Sequence, residues 1–231
     1  MSAKAIGAID REVVRCTKCP QLRGYCALVA AEKKRAYRDW TYWGKPVPAF
    51  GDPDARVVLV GLAPGAHGSN RTGRMFTGDA SGDFLYPALH RAGFATQATA
   101  LSRDDGMELR DCFITAALRC APPQNKPAPR ELQNCFPYLV RELAALERMQ
   151  VVVGLGAIGT KAAIDALKGS GYAIEPQPWR FGHGIELSAR KGKRSITVVA
   201  SFHPSRQNTN TGKLTAKMFD SIFTRANALL R

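Results

Sequence analysis

Six cysteines are the residues of this 231-residue chain whose chemistry first needs an explanation. Cys16 and Cys19 form a CxxC pair, while Cys120 and Cys135 lie far along the chain with fourteen residues between them. Four thiolates make a complete ligand shell for a zinc ion or for an iron–sulfur cluster. A zinc ribbon would repeat the CxxC pair, which this chain does not, and four buried apolar thiols are the alternative without a metal. Spacing alone leaves these interpretations open.

The two other cysteines, Cys26 and Cys112, have no evident partner and are expected in the core. The first residues, MSAKAIGAIDREVV, carry acidic side chains early and contain no apolar segment, so they do not predict a signal peptide. The longest apolar runs are also far too short to span a membrane. We therefore expect a cytoplasmic protein, in which structural disulfides are rare.

A histidine followed by a polar loop is the second candidate for chemistry. His203 directly follows an apolar run, and the segment SFHPSRQNTNTGK, residues 201–213, continues with Arg206, Gln207 and Asn208. Polar loops at the ends of strands are where binding and catalytic residues concentrate. A histidine in this position acts either in chemistry, as an acid or a base, or as a structural side chain. The pattern leaves the functional and the structural use open.

Two glycine-rich segments could present backbone N–H groups to a ligand. Residues 61–79, GLAPGAHGSNRTGRMFTGD, are too rich in glycine and small polar residues for a helix, and they lack the Gly-Lys-Ser/Thr ending of a P-loop. Residues 154–159 match GxGxxG, but too little chain follows to build a dinucleotide-binding domain. We interpret them as a tight strand-to-helix turn, with a nucleotide-dependent oxidoreductase as the alternative.

These segments follow apolar runs that predict an α/β fold. The runs, expected to be buried parallel strands, are residues 56–61, 112–116, 150–155 and 196–201. Helical patterns alternate with them at residues 80–92, 129–149, 157–167 and 214–230. Alternating strands and helices indicate a parallel sheet covered on both faces. Ligands of such sheets bind at the carboxyl ends of the strands, where the candidate loops begin.

The remaining segments are less regular. Residues 1–50 are expected to hold a short helix and an irregular stretch rich in aromatic side chains. Residues 170–194 are expected to form a polar insertion with a basic tip at 190–194. We find no internal repeat and no clear linker between domains.

The charge balance indicates an anionic partner. Lysine and arginine number 33 and aspartate and glutamate 19, so the net charge is +14 and the isoelectric point is near 9.9. Such an excess attracts polyanions, which include nucleic acid, an anionic membrane or an acidic protein. A merely basic protein is the alternative, whereas a content of 45% hydrophobic residues excludes a disordered or fibrous chain.

Together these segments resemble the uracil-DNA glycosylase superfamily, and within it family 5, also called type B. The resemblance rests on the loop 61–79, on RCAPPQNKP at 119–127, on HPSRQNTNTGK at 203–213 and on the four cysteines. It implies a single glycosylase domain over residues 1–231. The implied fold is a three-layer α/β/α sandwich on a four-stranded parallel sheet.

The resemblance also implies a cofactor and a reaction. Cys16, Cys19, Cys120 and Cys135 would hold a structural [4Fe–4S] cluster. The enzyme would hydrolyse the N-glycosidic bond of uracil, and in this branch also of hypoxanthine, in double-stranded and further in single-stranded DNA, thereby initiating base excision repair. No lysine is evidently placed for a Schiff base, so a monofunctional enzyme that leaves an abasic site is expected. A non-catalytic DNA-binding protein with a metal cluster is the alternative.

This chain departs from the related family 4 at two positions. Leu62 stands where family 4 carries an acid, and Ala116 stands where it carries asparagine. The resemblance to type B moves these roles to Asp79, as the residue that activates water, and to Asn125, as the amide. Asp79 is also well placed to cap a helix that begins at Ala80.

The other expected roles follow from the need to flip the target base out of the duplex. Phe76 is expected to stack on the base, and His203 with backbone N–H groups of the loop to stabilise the departing base anion. Arg206, Gln207 and Asn208 are expected to contact phosphates and fill the gap in the duplex. The base pocket is expected to be lined by Gly61, Ala63 and Gly65. His67 could also reach the site.

Overall fold

The computed structural model describes residues 2–230. Within that range one sheet contains seven strands. They are β1 (Phe50–Gly51), β2 (Val57–Gly61), β3 (Cys112–Ala116), β4 (Val151–Leu155), β5 (Ala173–Glu175), β6 (Glu186–Lys191) and β7 (Arg194–Ser201). Their order is β1-β3-β2-β4-β7-β6-β5. The four apolar runs form β3, β2, β4 and β7, which are parallel to one another, so the predicted parallel core is confirmed.

The helices, in chain order, are α1 (Ser2–Val14), α2 (Pro20–Glu32), α3 (Ser69–Thr72), α4 (Ala80–Arg91), α5 (Pro129–Ala145), α6 (Gly156–Gly169), α7 (Arg206–Asn210) and α8 (Ala216–Leu229). Short 3₁₀ turns lie at Arg35–Tyr37 and Pro123–Asn125. None of the helices within residues 2–230 is long and apolar enough to cross a membrane.

Two hydrophobic clusters hold the helices against the two faces of the sheet. Successive side chains of a strand point to opposite faces, so Leu59 packs toward α4 and α8, whereas Val58 packs toward α1, α5 and α6. The phenyl rings of Phe84 in α4 and Phe219 in α8 lie 5.4 Å apart on the first face. The predicted three-layer α/β/α arrangement is confirmed.

The sheet is wider than the four strands that the sequence analysis predicted. The expected polar insertion contains β5 and β6, which extend the sheet as an antiparallel hairpin on β7. Leu187 and Ala189 of β6 face the core, whereas Ser188 between them is only half-buried and Arg190 and Lys191 are exposed. The sequence of a strand that has one face in solvent contains many polar residues, because only every second residue needs to be apolar. β1 adds an antiparallel edge beside β3.

The first fifty residues hold more helix than expected. Both α1 and α2 have 13 residues, and each buries one stripe of side chains. Ile6, Ile9 and Val13 of α1 are buried, with a spacing that places them on one side of a helix. Pro20 begins α2, where its missing N–H has no helical partner to lose.

The GxGxxG segment forms the predicted strand-to-helix turn. Gly156 has a φ of +79°, which side chains rarely adopt. A Cβ on Gly154 would lie 2.4 Å from Cα of Thr160, and one on Gly159 would lie 2.4 Å from the carbonyl oxygen of Val60. Gly154 and Gly159 therefore let α6 approach β2 and β4. Close packing accounts for these two glycines, and the backbone conformation accounts for Gly156.

We expect Gly159→Ala to lower the free energy of unfolding by about 1–3 kcal/mol, because the added methyl group must push α6 away from β2. Gly24→Ala is the matched control, since Gly24 lies within helix α2 and a Cβ there would contact nothing within 4 Å. That control should stabilise the protein by about 0.5–1 kcal/mol through helix propensity. Urea unfolding of both variants tests the packing, and equal effects would contradict it.

Candidate active-site cleft and cysteine centre

A cleft lies where the carboxyl ends of the parallel strands meet. The register pairs Gly61 with Ala116 and Leu155 with Ser201, so the strands end almost level. Two adjoining cavities share the residues Gly65, Asp79, Ser81, Gln124, Asn125, Ser205 and Gln207. The inner cavity, about 430 Å³ in volume, is also bordered by Phe76 and His203. The cleft thus brings together residues from four separate parts of the chain.

The carboxylate of Asp79 serves the helix and the cleft at the same time. Its Oδ1 accepts hydrogen bonds from the backbone N–H of Ser81 at 3.0 Å and of Gly82 at 3.1 Å, so Asp79 is the N-cap of α4. Its Oδ2 faces the loop, where a Cβ on Gly65 or Gly68 would approach it to 2.8 Å or 1.9 Å. Only glycine leaves room for the carboxylate at those two positions. The predicted capping role is observed, and the second oxygen stays available to the cleft.

Burial governs the protonation of Asp79. Desolvation raises the pKa of the carboxyl group, because a charge is less stable away from water. The two backbone hydrogen bonds lower the pKa in part, since they favour the charged form. A carboxylate with a raised pKa is a stronger proton acceptor than an exposed one.

His203 is an uncharged imidazole that also borders the inner cavity. Burial lowers its pKa to about 4, so the ring is neutral at pH 7 and carries one N–H donor and one nitrogen acceptor. Its ring centroid lies 6.0 Å from that of Phe76. The side-chain amide of Asn208 donates a hydrogen bond of 2.8 Å to the backbone oxygen of His203. Asn208 therefore holds the loop, and its predicted contact with DNA stays a prediction.

Three side chains at the cleft sit on left-handed backbone. Phe76 has a φ of 51°, Gln124 of 54° and Asn125 of 57°. Residues other than glycine rarely adopt this conformation, which costs on the order of 1–3 kcal/mol and concentrates at functional sites. Asn125 borders both cavities and is exposed, and its side-chain amide has no hydrogen-bond partner within residues 2–230. Sequence analysis missed Gln124, which lines both cavities beside it.

The other predicted residues have different positions around the cleft. Ala63 borders the inner cavity, and Gly61 lies beneath Phe76, where a Cβ would approach the ring to 2.9 Å. Arg206 and Gln207 are exposed at the outer cavity. His67 also lines the outer cavity, and its Nδ1 lies 3.1 Å from the hydroxyl of Tyr42.

Arg71 closes the loop, and sequence analysis did not identify it. Its Nε donates to the carbonyl oxygen of His67 and its Nη2 to that of Gly78, both at 2.8 Å. The guanidinium carbon lies 3.9 Å from the ring centroid of Tyr37 and 4.1 Å from that of Trp40. A stacked, buried arginine of this kind fixes the middle of the loop, at His67, to its C-terminal end, at Gly78. The aromatic stretch was the available signal, but nothing in the sequence links it to Arg71.

The four predicted cysteines border one small cavity behind the cleft. Cys16 follows α1, Cys19 precedes α2, Cys120 follows β3 and Cys135 lies in α5. All are free thiols, and the side-chain amide of Asn134 donates to Sγ of Cys19 at 3.3 Å. Within residues 2–230, no three side chains of the metal-binding types surround one point as a single ion requires. Cys26 and Cys112 are fully buried, as expected of core residues.

A buried ion pair adjoins this cysteine cavity. Arg119 and Glu142 are hydrogen-bonded to each other and to Thr115, with side-chain exposures of 2% for Arg119 and 0% for Glu142. Nε and Nη1 of Arg119 are buried without a partner in the described part of the chain. Burial, and then the charge of Glu142, raises the pKa of Asp10 to about 6. Sequence analysis had assigned no role to these residues.

Comparison of the amino-acid sequence with known proteins identifies similar families and enzymes. A model of the uracil DNA glycosylase superfamily matches residues 48–227. A type-5 uracil-DNA glycosylase from Thermus thermophilus is 45% identical over 96% of this chain and 99% of its own. One from Pyrobaculum aerophilum is 44% identical over 94% of this chain and 89% of its own. A type-4 enzyme from Archaeoglobus fulgidus is 29% identical over 87% and 82%.

The lowered pKa of His203 predicts a loss of stability in acid. Between pH 6.5 and pH 4 the unfolded chain binds a proton at this imidazole and the folded chain does not, so stability falls as the pH falls. The free energy of unfolding of the wild type, relative to His203→Gln, should therefore be about 1–2 kcal/mol lower at pH 5 than at pH 7. Denaturant titrations at both pH values test this, and parallel profiles would show that His203 is not desolvated.

Proposed function

The chain belongs to the uracil-DNA glycosylase superfamily, and we propose that the cleft between Asp79, Asn125 and His203 carries out its reaction. The protein is a uracil-DNA glycosylase, a DNA-repair hydrolase that acts on the N-glycosidic bond. The single observation that carries the assignment to this cleft is the convergence of the three side chains around one cavity. We further propose a monofunctional, cytoplasmic enzyme formed as one domain, which acts on uracil and hypoxanthine in double- and single-stranded DNA.

Base recognition requires the target nucleotide to leave the stack. Unstacking costs a few kcal/mol, which contacts made only with the flipped base must offset. The inner cavity is of a size that small ligands occupy, and its wall is apolar at Leu62, Met75 and Phe76. In this proposal Phe76 stacks on the base and Asn125 bonds its polar edge. The apolar wall and the volume of the inner cavity support acceptance of a purine such as hypoxanthine as well as uracil.

The bond is broken by stabilising opposite charges on its two sides. The electron pair of the bond to the sugar C1′ leaves with the base, which becomes an anion, while positive charge develops on the sugar. The neutral imidazole of His203 and backbone N–H groups of the loop donate hydrogen bonds to the anion. Asp79 uses Oδ2 to orient a water molecule, accepts its proton as the oxygen adds to C1′, and offsets the sugar charge.

The exposure of both lysines that border the two cavities within residues 2–230, Lys34 and Lys126, supports a monofunctional reaction. Lys126 borders the inner cavity, but it is exposed, whereas a lysine that forms Schiff bases needs an environment that removes its proton. The product would be an intact strand with an abasic site. Incubation of duplexes that carry uracil, hypoxanthine or no lesion, followed by alkali, reveals such sites. Strand cleavage before alkali, or a complex trapped by borohydride, would contradict the proposal.

Asp79→Asn should lower the single-turnover rate of base release by roughly 10²–10⁴-fold, because the amide cannot accept the proton of water. Asparagine is as good an N-cap as aspartate, so α4 should remain folded. Asp83→Asn is the matched control, since Asp83 is an exposed acid in the first turn of the same helix. Near-normal rates for Asp79→Asn would reduce the residue to a helix cap.

For the cysteine cavity we propose a structural [4Fe–4S] cluster held by Cys16, Cys19, Cys120 and Cys135. The four thiols border one cavity. Four thiolates form the complete ligand shell of such a cluster, in which each thiolate binds its own iron atom. The chain also lacks the second CxxC pair that is typical of a zinc ribbon. Such a cluster, when bound, contributes folding energy and takes no part in the bond cleavage.

Substitution of any one of the four cysteines by serine should remove iron and destabilise the fold, because the metal centre links α1, α2, β3 and α5. Cys26→Ser and Cys112→Ser are the controls and should retain the iron. Iron analysis, visible absorbance and thermal unfolding measure these effects. Zinc in place of iron in the wild type would overturn the cluster.

A further inference from the structure

The outer cavity has a basic wall that the proposed reaction does not use. The segment KKRAYRDW, residues 33–40, carries four cations and one acid. Lys34 and Tyr37 line the cavity together with Arg206 and Gln207. Within residues 2–230, the cations Lys34, Arg35 and Arg38 form no ion pair, and all three are exposed. Unpaired charges on one side of a cleft are available to an anion that enters it.

This segment is held in place by the loop that carries Asp79. The rings of Tyr37 and Trp40 enclose the guanidinium of Arg71, which is bonded to the backbone on both sides of the loop. The hydroxyl of Tyr42 accepts a hydrogen bond of 3.4 Å from the backbone N–H of Lys34. The ammonium group of Lys33 donates to the carbonyl oxygen of Arg38 at 3.0 Å. These contacts attach the backbone of the segment to the cleft, and the side chains of Lys34, Arg35 and Arg38 remain exposed.

We propose that residues 34–38 are a phosphate-binding wall for the DNA strand that carries the target base. The proposal rests on the function proposed above. A strand whose flipped base lies in the inner cavity must continue in both directions along the outer cavity. Arg206 and Lys34 both line the outer cavity. In this proposal Arg206 contacts the DNA backbone on one side of the flipped nucleotide, and Lys34 contacts it on the other. Lys34, Arg35 and Arg38 then neutralise the phosphates that flank the flipped nucleotide on the second side.

The other basic segment of the molecule lies at the wrong end of the sheet for this task. The turn between β6 and β7 is at the amino end of β7, whereas the cleft is at its carboxyl end. Two of its cations are also engaged with backbone oxygens, since Lys191 bonds Ser170 and Arg194 bonds Leu146. Lys193 is exposed in that turn and offers a matched lysine remote from the cleft.

Binding to a duplex that carries a tetrahydrofuran abasic analogue tests the wall without any turnover. Lys34→Ala should weaken binding several-fold and reduce the slope of log K against log salt by about one. Lys34→Arg should retain the wild-type slope, because the positive charge remains. Lys193→Ala should change neither affinity nor slope. Circular dichroism checks that each variant folds.

Neutral methylphosphonates, introduced one at a time on each side of the analogue, identify the contact. At one or two positions on a single side, the losses of binding free energy from Lys34→Ala and from the neutral phosphate should not be additive, because either change removes the same ion pair. Additive losses at every position, or an equal effect of Lys193→Ala, would overturn the wall. Failure of the wild type to release uracil would refute the proposed function instead, and these binding data do not depend on that result.

Discussion

The position of the loop 61–79, which carries Asp79, depends on the buried guanidinium of Arg71. Residues 61–79 contain too little apolar surface to pack by themselves, and their backbone polar groups need partners. Arg71 bonds the carbonyl oxygens of His67 and Gly78, which ties the middle of the loop to its C-terminal end. Tyr37 and Trp40 cover the same charge and thereby attach the N-terminal segment. Asp79 is the next residue after Gly78, so the placement of its carboxylate follows from this contact.

Desolvation shifts the pKa values of both His203 and Asp79 in the cleft. Burial lowers the pKa of His203 and raises that of Asp79, which in both cases favours the uncharged form. Only Asp79 receives compensating hydrogen bonds, from the start of α4. In the proposed mechanism the imidazole donates to an anion without carrying a charge itself, whereas the carboxylate acts as a base. The difference between the two residues lies in the hydrogen bonds from α4, which favour the charged form of Asp79 alone.

The sequence predicted the parts of the structure that depend on local pattern. The four parallel strands were recognised because strands covered on both faces are apolar at every position. The β5–β6 hairpin was missed because its buried residues alternate with polar ones. Only one helix was expected where α1 and α2 lie, because their buried stripes are short. Asp79, Asn125 and His203 were named through the resemblance of whole segments, and they border one cavity, while their roles stay predictions. Arg71 and Arg119 were not, since an arginine becomes structural only through partners distant in sequence, such as Tyr37 or Glu142.

The double use of the Asp79 carboxylate has an evolutionary consequence. Helix α4 needs an acceptor at its N-cap, and asparagine, serine and threonine meet that need almost as well as aspartate. Substitution among these residues changes the group that faces the cleft while the helix still begins at Ala80. The chemistry of this position can therefore drift across generations without passing through unstable intermediates. A scaffold of this kind allows descendants to acquire new reactivity before any compensating change arises elsewhere in the chain.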